Sequence, residues 1–344
     1  MSPSERSDRP AVLVTGGAGY IGSHACAALA QAGYTPVAYD NLTYGHREAV
    51  KFGPLEEGDI RNSARLDQVL ARWRPTAVMH FAALISVGES VADPARYYDN
   101  NVRGALTLLD AVRAAGVQRF VFSSTAAVYG LPPTQPIGET APLAPINPYG
   151  RTKLMIEQAL RDYGAAYGLR SASLRYFNAC GAHPSAGIGE MHEPETHLIP
   201  RCLMAVAGEI EALDLMGWDY PTPDGTCIRD YIHVCDLADA HVAALRYLEA
   251  GGDTIAMNLG VGRGYSNKEI VDAVGRATGT PVPFRKAPRR PGDPAELTAD
   301  PSLARRTIGF DPQWTDIEAV IASAWRFAQG RAASRQGGHA PAAS

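Results

Sequence analysis

Short apolar runs recur along the first half of the chain, and helical spacing follows each of them. Residues 11–15 (AVLVT), 35–39, 77–81 (AVMHF), 119–123 (RFVFS) and 170–176 read as strands. Apolar positions at helical intervals fill 20–32, 63–73, 94–115 and 148–167. The strands are apolar throughout rather than alternating, so both of their faces must be covered. Strand–helix alternation with such strands predicts an α/β fold, a doubly wound parallel sheet of Rossmann type. After about Asn178 the rhythm weakens, and segments such as 183–194 and 219–225 are rich in loop-forming residues. A smaller, irregular α/β substrate domain is expected there. A helix over 234–248 and a strand over 254–259 are expected to return to the first sheet. The predicted division is 10–178 with 234–259 for one domain, and 179–233 with 260–329 for the other. Residues 1–9 and 330–344 read as flexible tails.

Composition narrows the class. The 344 residues suit about two domains of ~150 residues each. With 46% hydrophobic and 20% charged residues the chain is an ordinary globular one. A net charge of −4 without a long basic run argues against a nucleic-acid partner. The five cysteines, Cys26, Cys180, Cys202, Cys227 and Cys235, are odd in number and contain no CxxC pair. Neither a disulfide framework nor a zinc knuckle fits, so no metal is expected, and free thiols point to a reducing compartment. No apolar run approaches the ~18 residues of a membrane span, and 11–14 is too short for a secretion signal. A cytoplasmic location without a membrane partner is the expectation.

The most informative turn is Thr15-Gly16-Gly17-Ala18-Gly19-Tyr20-Ile21-Gly22, between the first strand and the first helix. Gly16, Gly19 and Gly22 each have a use: a tight turn, close approach of a pyrophosphate, and tight helix–strand packing. The helix N-terminus offers N–H groups and a positive dipole end to phosphates. Asp40 ends the second strand, where an acid accepts hydrogen bonds from the adenosine ribose and repels a 2′-phosphate. NAD is therefore expected over NADP. Asp59, in Gly58-Asp59-Ile60, falls at the end of the third strand, within reach of the adenine.

A second constellation lies at Asn147-Pro148-Tyr149-Gly150-Arg151-Thr152-Lys153. Asn147 suits a helix N-cap and Pro148 the first turn. Tyr149 and Lys153 then share one helical face. A nearby ammonium and the positive helix end would favour the phenolate, making Tyr149 a general acid/base at neutral pH. Ser123-Ser124-Thr125 ends a strand, and ligands of parallel sheets bind at carboxyl ends of strands.

Together these residues resemble the extended short-chain dehydrogenase/reductase family, and within it the sugar-nucleotide 4-epimerases, over about residues 10 to 328. The resemblance extends through YDNL (39–42), GDIRN (58–62), VGESV (87–91), YYDNNV (97–102), NPYGRTKLMIEQ (147–158), RYFNACGAHP (175–184), DYPTPDGTCIRDYIHV (219–234), DLADAH (236–241) and PRRPGD (288–293). It implies reversible inversion at C4 of UDP-glucose and UDP-galactose, with bound NAD and a 4-keto sugar. Tyr149 would take the proton of the 4-hydroxyl, Lys153 would hold the ribose and depress the Tyr149 pKa, and Thr125 would hydrogen-bond the same hydroxyl. By resemblance, Tyr20, Ile21, Asn41, Ile60, Phe81, Ala82, Ala83 and Ser123 join the glycines, Asp40 and Asp59 around the cofactor. Tyr176 and Phe177 would line the nicotinamide, with Asn100 near its ribose. Asn178, His197, Leu198, Arg229, Arg290 and Asp293 match positions that hold the UDP-sugar substrate. Leu297 falls where residue size tunes the sugar range. Homodimers that pair helices near 97–115 and 148–167 are also implied.

The chain departs from the family pattern at two places. Many members have Lys at the position of Ile85, close to the cofactor phosphates, so weaker NAD retention is expected here. The segment between Asp40 and Asp59 is trimmed. Two alternative activities fit the same scaffold: UDP-N-acetylhexosamine or UDP-pentose epimerisation, and a catalytically silent NAD-binding protein. Intact Thr125, Tyr149 and Lys153 argue against the silent binder. A 4,6-dehydratase would place Asp-Glu after the strand-end Thr, where this chain has Ala126-Ala127.

Overall fold

The computed structural model describes residues 9–290 and 293–337, with side chains as far as residue 333. Its strands are β1 (Ala11–Thr15), β2 (Thr35–Asp40), β3 (Leu55–Glu57), β4 (Ala77–His80), β5 (Arg119–Ser123), β6 (Arg170–Tyr176), β7 (Asn178–Cys180), β8 (Leu213–Met216), β9 (Ile228–His233), β10 (Ile255–Leu259), β11 (Gly264–Ser266), β12 (Phe284–Ala287) and β13 (Glu296–Leu297). The helices are α1 (Tyr20–Gln31), α2 (Ser63–Trp73), α3 (Val87–Ala92), α4 (Pro94–Tyr97), α5 (Gly104–Ala114), α6 (Pro148–Tyr167), α7 (Leu198–Val206), α8 (Val234–Glu249), α9 (Asn267–Thr278), α10 (Ser302–Ile308) and α11 (Ile317–Gly337).

Seven parallel strands form the main sheet in the order β10-β6-β5-β4-β1-β2-β3. The order reverses between β1 and β4, which opens a crevice at the carboxyl ends of those strands. One face is covered by α1 and α8, whose Leu29, Leu237 and Leu245 pack on Val12, Val14 and Met79. The other is covered by α2, α5 and α6, whose Leu66, Leu108 and Ile156 pack on Leu13, Val78 and Phe120. Coverage of both faces explains why the strands carry no polar alternation.

A second, smaller sheet joins β7, β9, β11 and β13, and β8 pairs with β12. Beneath them α7, α9 and α11 close a separate apolar cluster that includes Ile199, Ile270 and Ile321. β10 returns to the main sheet beside β6.

Two expectations need correction. The predicted helix over 94–115 is interrupted: a π-helical turn at Tyr98–Arg103 separates α4 from α5. The cause is Asn101, wholly buried, which donates to the Leu84 carbonyl (3.0 Å) and to Thr152 Oγ1 (3.1 Å) and accepts from the Leu84 N–H (2.8 Å). The predicted tail over 330–344 begins as helix, since α11 runs to Gly337. Its Ala, Arg and Gln residues are good helix formers, and they carry the helix past Gly330. The rest of that tail, and residues 1–8 of the first, lie outside the described residues.

Candidate active site

The glycine turn is built by sterics. Gly16 has φ +74°, and a Cβ there would meet the Ala82 nitrogen at 2.6 Å. A Cβ on Gly22 would lie 2.0 Å from the Gly16 carbonyl oxygen, so α1 can approach the turn only with glycine at that position. No side chain caps α1, and its first turn holds no acidic residue. An anion can therefore use this helix end. Asp40 is buried and accepts hydrogen bonds from the N–H groups of Ala18 (3.0 Å) and Leu42 (2.8 Å). Burial raises its pKa, and those two N–H groups oppose the shift.

The tyrosine and lysine come from α6. Its N-cap Asn147 accepts from the Gly150 N–H at 2.8 Å, and Pro148 opens its first turn. A Cβ on Gly150 would come within 2.6 Å of the Ala127 carbonyl. Glycine thus lets the start of α6 press against the turn after β5. That contact brings Tyr149 to Thr125, whose hydroxyl is close enough to lower the phenol's pKa. Lys153 is buried and donates to the Ser123 carbonyl at 2.7 Å. Its ammonium lies 5.0 Å from the Phe122 ring centre and 6.0 Å from that of Tyr149. Ser123 Oγ contacts the Tyr176 hydroxyl.

Burial pushes the Tyr149 phenol up to about 12, opposed only by the Thr125 hydroxyl. Burial also pulls Lys153 down to about 7, with the Glu157 charge opposing. In the protein alone burial dominates both groups and favours their neutral forms.

These residues line one cavity of about 590 Å³ at the carboxyl ends of the strands. Gly16, Gly19, Tyr20, Ile21, Gly22, Asp40, Asn41, Ile60, Phe81, Ala82 and Ala83 line it. Asn100, Ser123, Thr125, Tyr149, Lys153, Tyr176, Phe177, Asn178 and His197 continue the lining. Other expected residues lie outside it. Asp59 is engaged by Arg61 and by Asn41, and those bonds hold its pKa well below the usual range. Leu198 packs against the apolar cluster of the smaller domain. Arg229 is buried and pairs with Asp293 and the Pro294 carbonyl. Arg290 is exposed, and Leu297 packs in the cluster that also receives Phe177.

Sequence reasoning missed part of the lining, including Tyr44, Arg61, Arg96, Glu190 and His192. The dense charges of the Glu190–His197 stretch were a usable signal. His197 Nδ1 lies 2.6 Å from Glu190 and 3.3 Å from Glu195. Burial works against its charge, yet the two carboxylates outweigh burial and raise its pKa. An imidazolium therefore faces the cavity at neutral pH.

The fold and this cavity define a dinucleotide-dependent enzyme. A family model described as "NAD dependent epimerase/dehydratase family" matches residues 12–260. The chain is 57% identical to a UDP-glucose 4-epimerase of Rhizobium meliloti, over 92% of this chain and 96% of that relative. It superposes on the structure of UDP-glucose 4-epimerase from Brucella ovis in complex with NAD with a TM-score of 0.90, at 54% identity, covering 92% of this chain and 98% of the other. The enzyme from Bifidobacterium longum in complex with NAD+ and UDP gives 0.89 at 39% identity, covering 94% and 99%. The chain belongs to the NAD-dependent epimerase/dehydratase family.

Proposed function

We propose that the chain interconverts UDP-glucose and UDP-galactose by inversion at C4. The observation that carries this reading is the convergence of Thr125, Tyr149 and Lys153 on the cavity that also contains the glycine turn. The glycine turn, the uncapped α1 terminus and Asp40 suit NAD, which supplies the hydride acceptor and donor when bound. Tyr149 takes the proton from the 4-hydroxyl and later returns it, while Thr125 orients that hydroxyl. Lys153 supplies the cation that a phenolate at Tyr149 requires. Asn178 and His197 receive the nucleotide, and the His197 charge suits a diphosphate. We assign Arg229, Arg290, Asp293, Leu198 and Leu297 to the same substrate on the family resemblance. Residues 10–178 with 234–259 hold the cofactor, and 179–233 with 260–329 hold the sugar nucleotide.

The test is incubation of purified protein with UDP-galactose and no added NAD, with UDP-glucose followed by NMR. Conversion supports the reading with cofactor retained from purification. Rescue by added NAD supports it with loose retention, and inactivity in both overturns it. Leu297, intermediate in size, leads us to propose a preference for the unsubstituted hexoses with some turnover of UDP-N-acetyl sugars, and comparable kcat/KM for UDP-galactose and UDP-N-acetylgalactosamine would overturn that preference.

The homodimer remains part of this proposal. Leu106 on α5 and Met155 and Tyr167 on α6 are exposed, which suits pairing of these helices between two copies. A monomeric mass by light scattering would exclude it. Among the described residues no helix is long and apolar enough to cross a membrane. We propose a cytoplasmic location from the five free cysteines, and cell fractionation tests it.

A further inference from the structure

Behind the reacting groups lies a buried polar network that the proposed mechanism does not use. Glu157, one helical turn beyond Lys153 on α6, is 3% exposed. Its carboxylate accepts from Arg175 at 2.5 and 2.9 Å. The oxygen engaged at 2.9 Å also accepts from Ser124 Oγ at 2.5 Å. Arg175 continues to the Tyr129 hydroxyl (2.9 Å), which donates to Asn258 (2.7 Å). A purely structural ion pair would need only Arg175. Ser124 sits between Ser123, whose carbonyl holds Lys153, and Thr125, whose hydroxyl meets Tyr149.

We propose that Glu157 is a positioning residue: it clamps the Ser123–Thr125 turn through Ser124 and supplies the buried negative charge that acts on Lys153. This deepens the epimerase reading and rests on it. Around Lys153 stand the Phe122 ring and Ser123 carbonyl from β5, Tyr149 and Glu157 from its own helix, and His80 from β4, which feels the lysine's charge. His80 is kept neutral by burial and by the lysine's charge. Burial also holds the Tyr149 and Tyr176 phenols protonated. Of these groups only Glu157 is anionic, and its field opposes the pull of burial on Lys153. Without it burial would lower the Lys153 pKa further and leave less of the ammonium at neutral pH.

The chain has only four lysines, Lys51, Lys153, Lys268 and Lys286. Labelling their Cε with 13C gives few NMR signals, and Lys153→Arg identifies one of them. In the wild type that signal should titrate near 7. Glu157→Gln should lower its midpoint by about one unit or more. The same variant should lower kcat on UDP-galactose by about 10- to 100-fold while KM stays within about twofold. Glu157→Asp should restore the midpoint. Ser124→Ala keeps the carboxylate, so it should leave the midpoint in place and still lower kcat. An unmoved midpoint in Glu157→Gln, even with a lower melting temperature, overturns the charge role. Wild-type kcat in Ser124→Ala overturns the clamp. If the unpaired Arg175 prevents Glu157→Gln from folding, Glu157→Asp and Ser124→Ala still decide: Glu157→Asp must titrate as the wild type does and Ser124→Ala must lose kcat, and failure of either overturns the proposal. An inactive wild type would count against the epimerase reading, while the lysine titration tests the charge role without turnover.

Discussion

Burial acts on Tyr149 and Lys153 in opposite directions, raising the phenol to about 12 and lowering the ammonium to about 7. Each group alone is poorly prepared for acid/base work at neutral pH, so the reaction depends on charge brought into the cavity and on the anion behind Lys153. Removing the phenol oxygen should therefore remove the chemistry and little else. Tyr149→Phe should lower kcat by about 10²- to 10⁴-fold while its NAD content, read by absorbance after denaturation, stays at the wild-type level. An unchanged kcat would dismiss Tyr149 as the acid/base. Ile85 makes a different contribution. It lines the same cavity and is 42% exposed, so its apolar side chain occupies ground that a cation could use. Ile85→Lys should tighten NAD by about 3- to 10-fold at low salt and by less at high salt, as a partly screened charge would. Calorimetric titration of cofactor-stripped protein measures this, and an unchanged affinity would refute the link between this position and retention. At this scale the tyrosine, lysine and strand-end threonine were legible because helix spacing and strand ends place side chains by rule. Glu157 carried the same signal, four residues beyond Lys153. Its partner Arg175 sits on another element, where no spacing rule pairs the two.

Elements were most legible where the hydrophobic pattern was long. β5, β6, α2 and α6 fall on the ranges that periodicity predicts. The smaller sheet was not legible. Strands such as β7, β11 and β13 have two or three residues, and β9 pairs with β13 across a long stretch of chain. So short a strand has no measurable period, and its partner is set by tertiary packing. The π turn was hidden for a related reason: helical apolar spacing continues through it, and only the buried hydrogen bonds of Asn101 reveal the disruption. Those bonds satisfy both backbone groups of Leu84, whose neighbours Ala83 and Ile85 line the cavity. Asn101→Ala would leave both groups without that partner. We expect a loss of about 1–3 kcal/mol in urea unfolding, together with weaker NAD binding because Asn100 and Ala83 lose their support. A variant as stable as the wild type would show that the π turn stands without this side chain.

Across the whole molecule, the electrostatic cost of folding falls on histidines far apart in sequence. Burial lowers His24 and His241 to about 4, and His80 and His233 to about 3. His24, His80 and His241 lie against the main sheet, and His233 stacks on Trp314 of the smaller domain at 4.2 Å, so both parts of the fold share this sensitivity. The sign follows from proton uptake. Between about 6.5 and 4 the unfolded chain binds protons that the folded chain refuses, so stability present above 6.5 is lost as the pH falls. Each histidine contributes up to about 1.4 kcal/mol per pH unit across that window, and together they should make acid unfolding steep. Melting curves at half-unit steps from pH 7.5 to 4.5 measure the slope. His241 offers the cleanest control. Its Nδ1 meets the Leu237 carbonyl at 2.8 Å, and its Nε2 is buried without a hydrogen-bond partner. Its ring packs 4.7 Å from that of Phe81, an arrangement that another aromatic ring can keep. His241→Phe should therefore flatten the acid slope by about one quarter while leaving stability at pH 7.5 within about 1 kcal/mol. Equal slopes in the two proteins would mean that His241 takes up its proton alike in the folded and unfolded states, and that the acid slope rests on His24, His80, His233 and the histidine-paired Glu190, groups whose folded pKa is depressed.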